Sequence, residues 1–297
     1  MSDLVSVIIV NYNTQALSLE CVQSVLEHTN GVDLEVLLVD NASSDFKAEP
    51  FSALSSKVSV IRNEANLGFA KGVNTALEHA HGNYVLLVNS DARLLEDSIP
   101  VLIKALQNDP AISFISCEVV GPEGSPQPVS QEFPGLGEVF RGIAGKFTRC
   151  RDSKFSPLVT KRMAHKTDWL WGTFVLFRRH LLLAFPGEKL PDDFFLYCED
   201  VQWAYELRKR KGLYCYYCPE TKVVHYLSKS SDFAPKEKYF KYILPNTIQF
   251  LSMYHGPAYV WAYKLLYLFG TVPWSIRIFR KNIWRDWLRT LKVFLQA

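Results

Sequence analysis

Three short polar clusters each follow an apolar run: Asn11-Tyr12-Asn13 after LVSVIIV, Asp40-Asn41 after LEVLLV, and Asn89-Ser90-Asp91 after YVLLV. A carboxylate at such a position can hold Mg²⁺ or Mn²⁺, which take oxygen ligands, few of them from protein and the rest from substrate phosphates and water. Asp91 is the candidate. His225, in KVVHYLS, could be a second ligand, although an isolated histidine is as readily structural. PDDFFLYCEDVQW carries Asp192, Asp193, Glu199 and Asp200. The last two begin a helical stretch, where acids suit the helix dipole. One of them aimed into a cleft could instead deprotonate an attacking hydroxyl. In NEANLGFAKGVN, Asn66, Gly68, Lys71 and Asn74 sit where a loop enters a helix. Glycine permits close backbone approach and a helix N-terminus favours anions, so a phosphate-bearing ligand is weakly indicated. The run has neither a GKS/T ending nor a GxGxxG fingerprint. WLWG offers Trp169, Trp171 and Gly172, aromatic faces for a sugar or ordinary core packing.

These side chains need a frame. Branched and leucine runs at 4–10, 34–40, 58–61, 83–89 and 112–117 predict strands covered on both faces. Helical patterns fall at 15–29, 69–80 and 97–107. This alternation predicts an α/β fold of βαβ units around a mainly parallel sheet. Ligands of such sheets bind beyond the carboxyl ends of the strands. All three clusters fall on that edge, so a polar site is expected there, although each alone reads as well as a turn or helix cap. Residues 121–165 begin dense in Gly and Pro and are expected to be loop. Regular structure is expected again at 168–179, a helix at 198–212 and a strand at 213–218.

The chain has 297 residues, enough for one large domain or two small ones, and a net charge of +3. From Tyr254 onward there are seven basic residues and one acid, a local charge of +6 against −3 for the rest. Trp284, Trp287, Leu288, Leu291 and Leu295 share one helical face there, and Lys281, Arg285, Arg289 and Lys292 another. That pattern predicts a helix lying in an anionic membrane interface; the competing reading is a packed helix with solvated charges. Lys264, Gly270 and Pro273 interrupt the apolar stretch 258–276, which favours surface association over a span. Tryptophans on one face, not alternating along a groove, speak against nucleic acid. Strand-like sequence begins at Leu4, and the six scattered cysteines are expected to be free thiols in a reducing compartment. Cys215-Tyr-Tyr-Cys218 lacks the second pair a zinc site needs.

Taken in order, VSVIIVNYN, VLLVDNASSD, NEANLGFAKGVN, LLVNSDA, WGTFVLFRR and FFLYCEDVQWAYELRKRKG resemble the family 2 inverting glycosyltransferases of GT-A fold, most closely a bacterial rhamnosyltransferase-like branch. The resemblance covers about Val5 to Ser230. It implies a GT-A catalytic domain over 1–232, with a nucleotide-sugar half to about 120 and an acceptor half over 121–232, and a C-terminal amphipathic helical extension over 233–297. It also implies a nucleotide-sugar donor, dTDP- or UDP-linked, a divalent metal (Mn²⁺ or Mg²⁺), and inversion at the anomeric carbon. By position, Asn11, Asn13 and Asp40 would serve the base and ribose, and Asn66, Gly68, Lys71, Asn89 and Ser90 the rest of the nucleotide. Asn89-Ser90-Asp91 stands where the family has DxD, with Asn replacing the first Asp, which removes a charge. Asp91 and His225 would bind the metal. Asp200 would be the base with Glu199 beside it, and Trp169, Trp171 and Gly172 would line the acceptor site. The loop PEGSPQPVSQEFPGL matches one beside the acceptor in that branch. The implied reaction is rhamnosyl transfer from dTDP-rhamnose to a glycan or lipid-linked acceptor at the cytoplasmic face of a membrane. A UDP-hexose, UDP-N-acetylhexosamine or UDP-galactofuranose donor, or a binding protein without catalysis, are the alternatives.

Overall fold

The computed structural model describes residues 3–147, 163–226, 235–271 and 281–296. The basic stretch 148–162 and residues 272–276 of the apolar stretch lie outside them. The chain forms two compact units, 1–131 with 158–232, and 132–157 with 233–297. Residues 132–157 therefore cluster with the second unit, where the sequence reading gives them to the first.

The apolar runs become the strands of one sheet because their side chains have cover on both faces. β1 (Leu4–Asn11), β2 (Asp33–Asp40), β3 (Val58–Arg62) and β4 (Tyr84–Asn89) lie parallel in the order β3-β2-β1-β4. Val7, Ile9, Val36, Leu38, Leu86 and Leu87 are buried at their centre. Helices α1 (Gln15–Glu27), α2 (Glu49–Ser52) and α3 (Phe69–Leu77) make the crossovers. A short β5 (Ala92–Leu94), α4 (Ser98–Asn108) and β6 (Ile112–Val120) follow. Two-residue strands β7 (Ser130–Gln131) and β9 (Trp169–Leu170) pair with each other, and β8 (His165–Thr167) joins the main sheet. β10 (Phe174–Arg178) inserts antiparallel between β4 and β6. After α6 (Glu199–Lys211), β11 (Tyr214–His225) runs parallel to β6 and pairs antiparallel with β5.

Within the second unit, α5 (Leu136–Phe147) is a helix where loop was expected. Its register places apolar Val139 and Ile143 four residues apart, and Gly270 lets the backbone of α9 (Pro257–Thr271) approach, a Cβ there falling 2.5 Å from Ile143. α7 (Pro235–Lys238), α8 (Leu244–Tyr254) and α10 (Lys281–Gln296) complete it. The apolar face expected of α10 is divided. Trp287 Nε1 donates to Leu268 O at 3.4 Å, whereas Trp284, Leu288 and Leu295 are exposed; Thr290 and Phe294 are the buried positions. On α9 the exposed residues are Pro257, Ala258, Trp261, Ala262, Leu265 and Phe269, all apolar. Its one charged residue, Lys264, points inward and donates to Phe294 O at 2.8 Å. No described helix is long and apolar enough to cross a membrane.

The five described cysteines are free and buried, and burial pushes the Cys215 thiol up to about 12. Burial of this kind disfavours the reactive thiolate.

Arg178, closing β10, donates through both Nη atoms to the backbone carbonyls of Leu106, Asp109 and Ile112, joining the end of α4 to the start of β6. Arg178→Met is expected to lower unfolding free energy by about 2–3 kcal/mol, since charged hydrogen bonds are lost and carbonyls orphaned. Urea denaturation with unchanged m-value checks it.

Candidate active site

Register places the three polar strand ends side by side: Asn11 opposes Asp40, and Asn89 opposes Val10. Asn11 is fully buried and its hydrogen-bonding capacity is spent. Its Nδ2 donates to Asp40 Oδ1 (2.7 Å) and Ser43 Oγ (3.1 Å), while its Oδ1 accepts from Thr14 (2.9 Å) and Ser18 (2.7 Å). Thr14 in turn lies 3.0 Å from Ser90 Oγ. Asp40 is buried too, accepting from Ser43 N and Oγ with Arg62 Nε at 3.5 Å. Asn11 and Ser90 are both buried, and their side-chain bonds join the strand ends to one another. Exposed at this edge are the Tyr12 ring, 43% accessible, and Asn13, held at φ +55° with its Oδ1 accepting from Ser44 N. Sequence reading passed over Tyr12 as part of a polar triplet, although an aromatic at a strand end was a signal.

Asp91 turns the corner between β4 and β5. Neither of its carboxylate oxygens is solvent-accessible and neither accepts a hydrogen bond. His225, opposite Ala92 in the β5–β11 pairing, brings Nε2 to 3.2 Å from Asp91 Oδ1, within ion-pair distance but outside hydrogen-bond geometry. A buried carboxylate without donors is costly unless a cation completes it. Asp91 and His225 thus fit a hard divalent ion that takes its remaining ligands from substrate and solvent, and no cluster of three or more acidic, His or Cys ligands occurs among the described residues.

The α3 entry serves the protein's own chain more than expected. Gly68 has φ +84°, and a Cβ on it would lie 2.2 Å from Phe195 O. Its N–H is taken by Asn66 Oδ1, and the Phe69 N–H donates to Phe195 O at 3.0 Å. Asn74 makes a two-way bridge to Leu190, through Nδ2 to O and Oδ1 to N. Gly68 therefore admits the close approach of the 190–198 loop. Lys71 stays exposed, and Asn66 and Asn89 half-buried.

That loop delivers the acids. Tyr197 (φ +66°) and Cys198 (φ +83°) are consecutive left-handed residues at the start of α6. Each costs about 1–3 kcal/mol, strain of a kind that clusters at functional sites. Trp203 Nε1 to Pro191 O (2.7 Å) and Gln202 Nε2 to Asp193 Oδ2 (2.6 Å) hold the loop down. Asp200 is half-buried against an apolar cavity lined by Leu87, Leu170, Val175 and Trp203. That burial raises its pKa to about 6, opposed by N–H donation from Val201 (2.9 Å) and Gly172 (3.3 Å). Gly172 thus holds the Asp200 carboxylate through its backbone N–H. Glu199 is buried, and desolvation followed by the Asp200 charge pushes its carboxyl far up. The two adjacent acids therefore sit in different environments, Glu199 in the interior and Asp200 at the cavity. Trp169 and Trp171 are half-buried, the latter with its indole N–H unpartnered.

A family model described as glycosyl transferase family 2 matches residues 6–183. The uncharacterized protein MT1568 of Mycobacterium tuberculosis is 32% identical over 189 residues, 62% of this chain and 56% of that protein. Glycosyltransferase GlyG of Streptococcus pneumoniae is 33% identical over 114 residues, 37% of this chain and 38% of that protein. The chain thus matches little more than half of one and under half of the other. An N-acetylglucosaminyl-diphospho-decaprenol L-rhamnosyltransferase of M. tuberculosis is 25% identical over 253 residues, 78% of each chain. Among solved structures, the mannosyltransferase PcManGT of Pyrobaculum calidifontis, in complex with GDP-Man and Mn²⁺, aligns with a TM-score of 0.59 at 17% identity, covering 100% of this chain and 76% of that one. The mixed α/β sheet flanked by helices is the GT-A fold, as the sequence leads one to expect.

Replacing Asn11 orphans buried groups on Asp40, Ser43, Thr14 and Ser18. Asn11→Ala is expected to lower stability by roughly 2–4 kcal/mol. Equilibrium denaturation measures this, and a loss below about 1 kcal/mol would mean the network contributes little to the fold.

Proposed function

This chain belongs to glycosyl transferase family 2, and from that premise we propose that it is an inverting transferase, moving a sugar from a nucleotide-sugar donor to a hydroxyl of a glycan or lipid-linked acceptor. The observation that carries the reading is Asp91, a buried carboxylate with no donor to either oxygen at the carboxyl edge of the sheet. In this reading Tyr12 and Asn13 meet the base and Lys71 the phosphates, and the exposure of all three supports it. Asp40, held by Asn11, supports that edge. A divalent ion, Mn²⁺ or Mg²⁺, held by Asp91 and His225 would neutralise charge on the leaving diphosphate. Asp200 accepts the proton of the acceptor hydroxyl as its oxygen attacks the anomeric carbon. The bond to the diphosphate breaks on the opposite face, with inversion and no covalent intermediate. A pKa of about 6 suits this task, since the group is ionised at neutral pH yet basic enough to take a proton. Trp169 and Trp171 are the aromatic surfaces for the acceptor.

The donor we favour is dTDP-L-rhamnose, supported by a rhamnosyltransferase relative that matches over 78% of both chains. A screen of dTDP-rhamnose, UDP-hexoses and UDP-N-acetylhexosamines with Mn²⁺ or Mg²⁺, reading released nucleoside diphosphate, tests it. One donor turned over by the wild type and not by Asp91→Ala is the expected result. Silence across the panel with a lipid acceptor extract would favour a binding protein. Asp200→Asn is expected to lose about 10²–10⁴ in kcat with donor affinity retained. Wild-type kcat/KM should fall about tenfold per pH unit below about 6, where the base becomes protonated.

The acceptor side of the proposal includes an anionic bilayer under the second unit. α9 is turned inside out, its lysine inward and its exposed stripe wholly apolar, while α10 exposes Trp284, Leu288 and Leu295 beside Arg285, Arg289 and Lys292. Amphipathic helices with basic residues lie in such interfaces. Salt-sensitive flotation with phosphatidylglycerol vesicles, lost in Trp261→Ser/Leu265→Ser and absent with phosphatidylcholine, is expected; equal binding to both lipids, or to DNA, would overturn it.

A further inference from the structure

Gln127 lies in the Gly- and Pro-rich loop that follows β6. Its backbone N–H donates to Val119 O at 2.8 Å, folding the loop back beside the strand. Its amide makes a two-point contact with His225: Nε2 donates to the His225 backbone O at 2.7 Å, and Oε1 lies 2.8 Å from His225 Nδ1. The first contact settles the orientation of the amide. A flipped amide would set its oxygen against a carbonyl oxygen, two acceptors with no proton between them. The atom facing Nδ1 is therefore an acceptor, and Nδ1 must carry a hydrogen. In the neutral ring this leaves the lone pair on Nε2, and Nε2 is the atom 3.2 Å from Asp91 Oδ1.

We propose that Gln127 is a positioning residue that locks His225 in its Nδ1–H tautomer, so that Nε2 and Asp91 together present lone pairs to one divalent cation. This rests on the metal reading given above. It assigns a residue of the acceptor-side loop to the donor-side metal: histidine ligands are commonly fixed by an acceptor on the second ring nitrogen, and loss of that partner typically costs about 10–100-fold in metal affinity. The backbone tie from Gln127 to His225 O further fixes the end of β11, so ring and strand end move together.

The test uses full-length protein. Long-range ¹H–¹⁵N NMR of histidine-labelled metal-free protein, with the His225 signal assigned by its loss in His225→Asn, reads the tautomer directly. Mn²⁺ titration followed by electron paramagnetic resonance, with and without UDP or dTDP, reads affinity. The wild type should show Nδ1–H. Gln127→Leu, close in size, should lose that signature and weaken Mn²⁺ about 10–100-fold. Gln127→Glu keeps an acceptor at Nδ1 and should bind Mn²⁺ within a few-fold of wild type, although it loses the tie to the His225 carbonyl. A wild type in the Nε2–H form, or Gln127→Leu with wild-type tautomer and affinity, would overturn the role of Gln127 alone. Equal losses in the Leu and Glu variants would make the residue a backbone brace and overturn the lock. A wild type with Nδ1–H and no Mn²⁺ binding under any condition would overturn the metal reading and the proposal with it. Should Gln127→Leu fail to fold, the Glu variant and the wild-type tautomer still decide.

Discussion

The buried hydrogen bonds of Asn11 are the constraint on which the carboxyl edge of the sheet depends. Parallel strands leave their ends ragged, and nothing in a ladder of backbone hydrogen bonds fixes where the following loop goes. Here one side chain, with each donor and acceptor used, joins β1 to the Asp40–Ser43 corner after β2 and, through Thr14, to Ser90 after β4. A satisfied polar network of this kind rigidifies, because any shift leaves a buried group unpaired. Asp91, next to Ser90, inherits the fixed position.

A second layer of restraint works through backbone geometry. The 190–198 loop is clamped to α3 by Asn74 and by the close approach that Gly68 permits, and it ends in the left-handed pair Tyr197-Cys198. The outcome is a different environment for two adjacent acids. Glu199 turns into the interior, where desolvation pushes its carboxyl up; Asp200 remains at the surface of an apolar cavity with two backbone donors. Position along one helical turn thus sets which carboxyl is held back and which is available, in the way that environment divides paired acids generally.

Much of the frame was legible in the sequence because buried parallel strands must be apolar throughout, and LVSVIIVN, LEVLLVD and YVLLVN are. The positions of Asp91, His225 and Asp200 were legible for the same reason: they stand where such runs stop or a helix starts. What a strand end does with its side chain was not. Asn11 and Asn13 have the same chemistry two residues apart, yet one is buried and saturated and the other exposed, a difference set by strand pleat and by the partners Ser18 and Ser43. Gly68 read as a phosphate contact because its closest neighbour, Phe195, is far away in sequence. Gln127 was hidden in a loop whose composition spoke only of turns, and α5 was hidden because the residues that cover it lie more than a hundred positions away, on α9.

Asp91 and His225 meet only because β5 pairs with β11, the last strand of the sheet to be made. During synthesis, therefore, the carboxyl edge of β1 to β4 can form early while the Asp91–His225 pair stays incomplete. Folding of this unit is thus expected to be governed by a long-range closure, slow by its topology, with the first half waiting on the last.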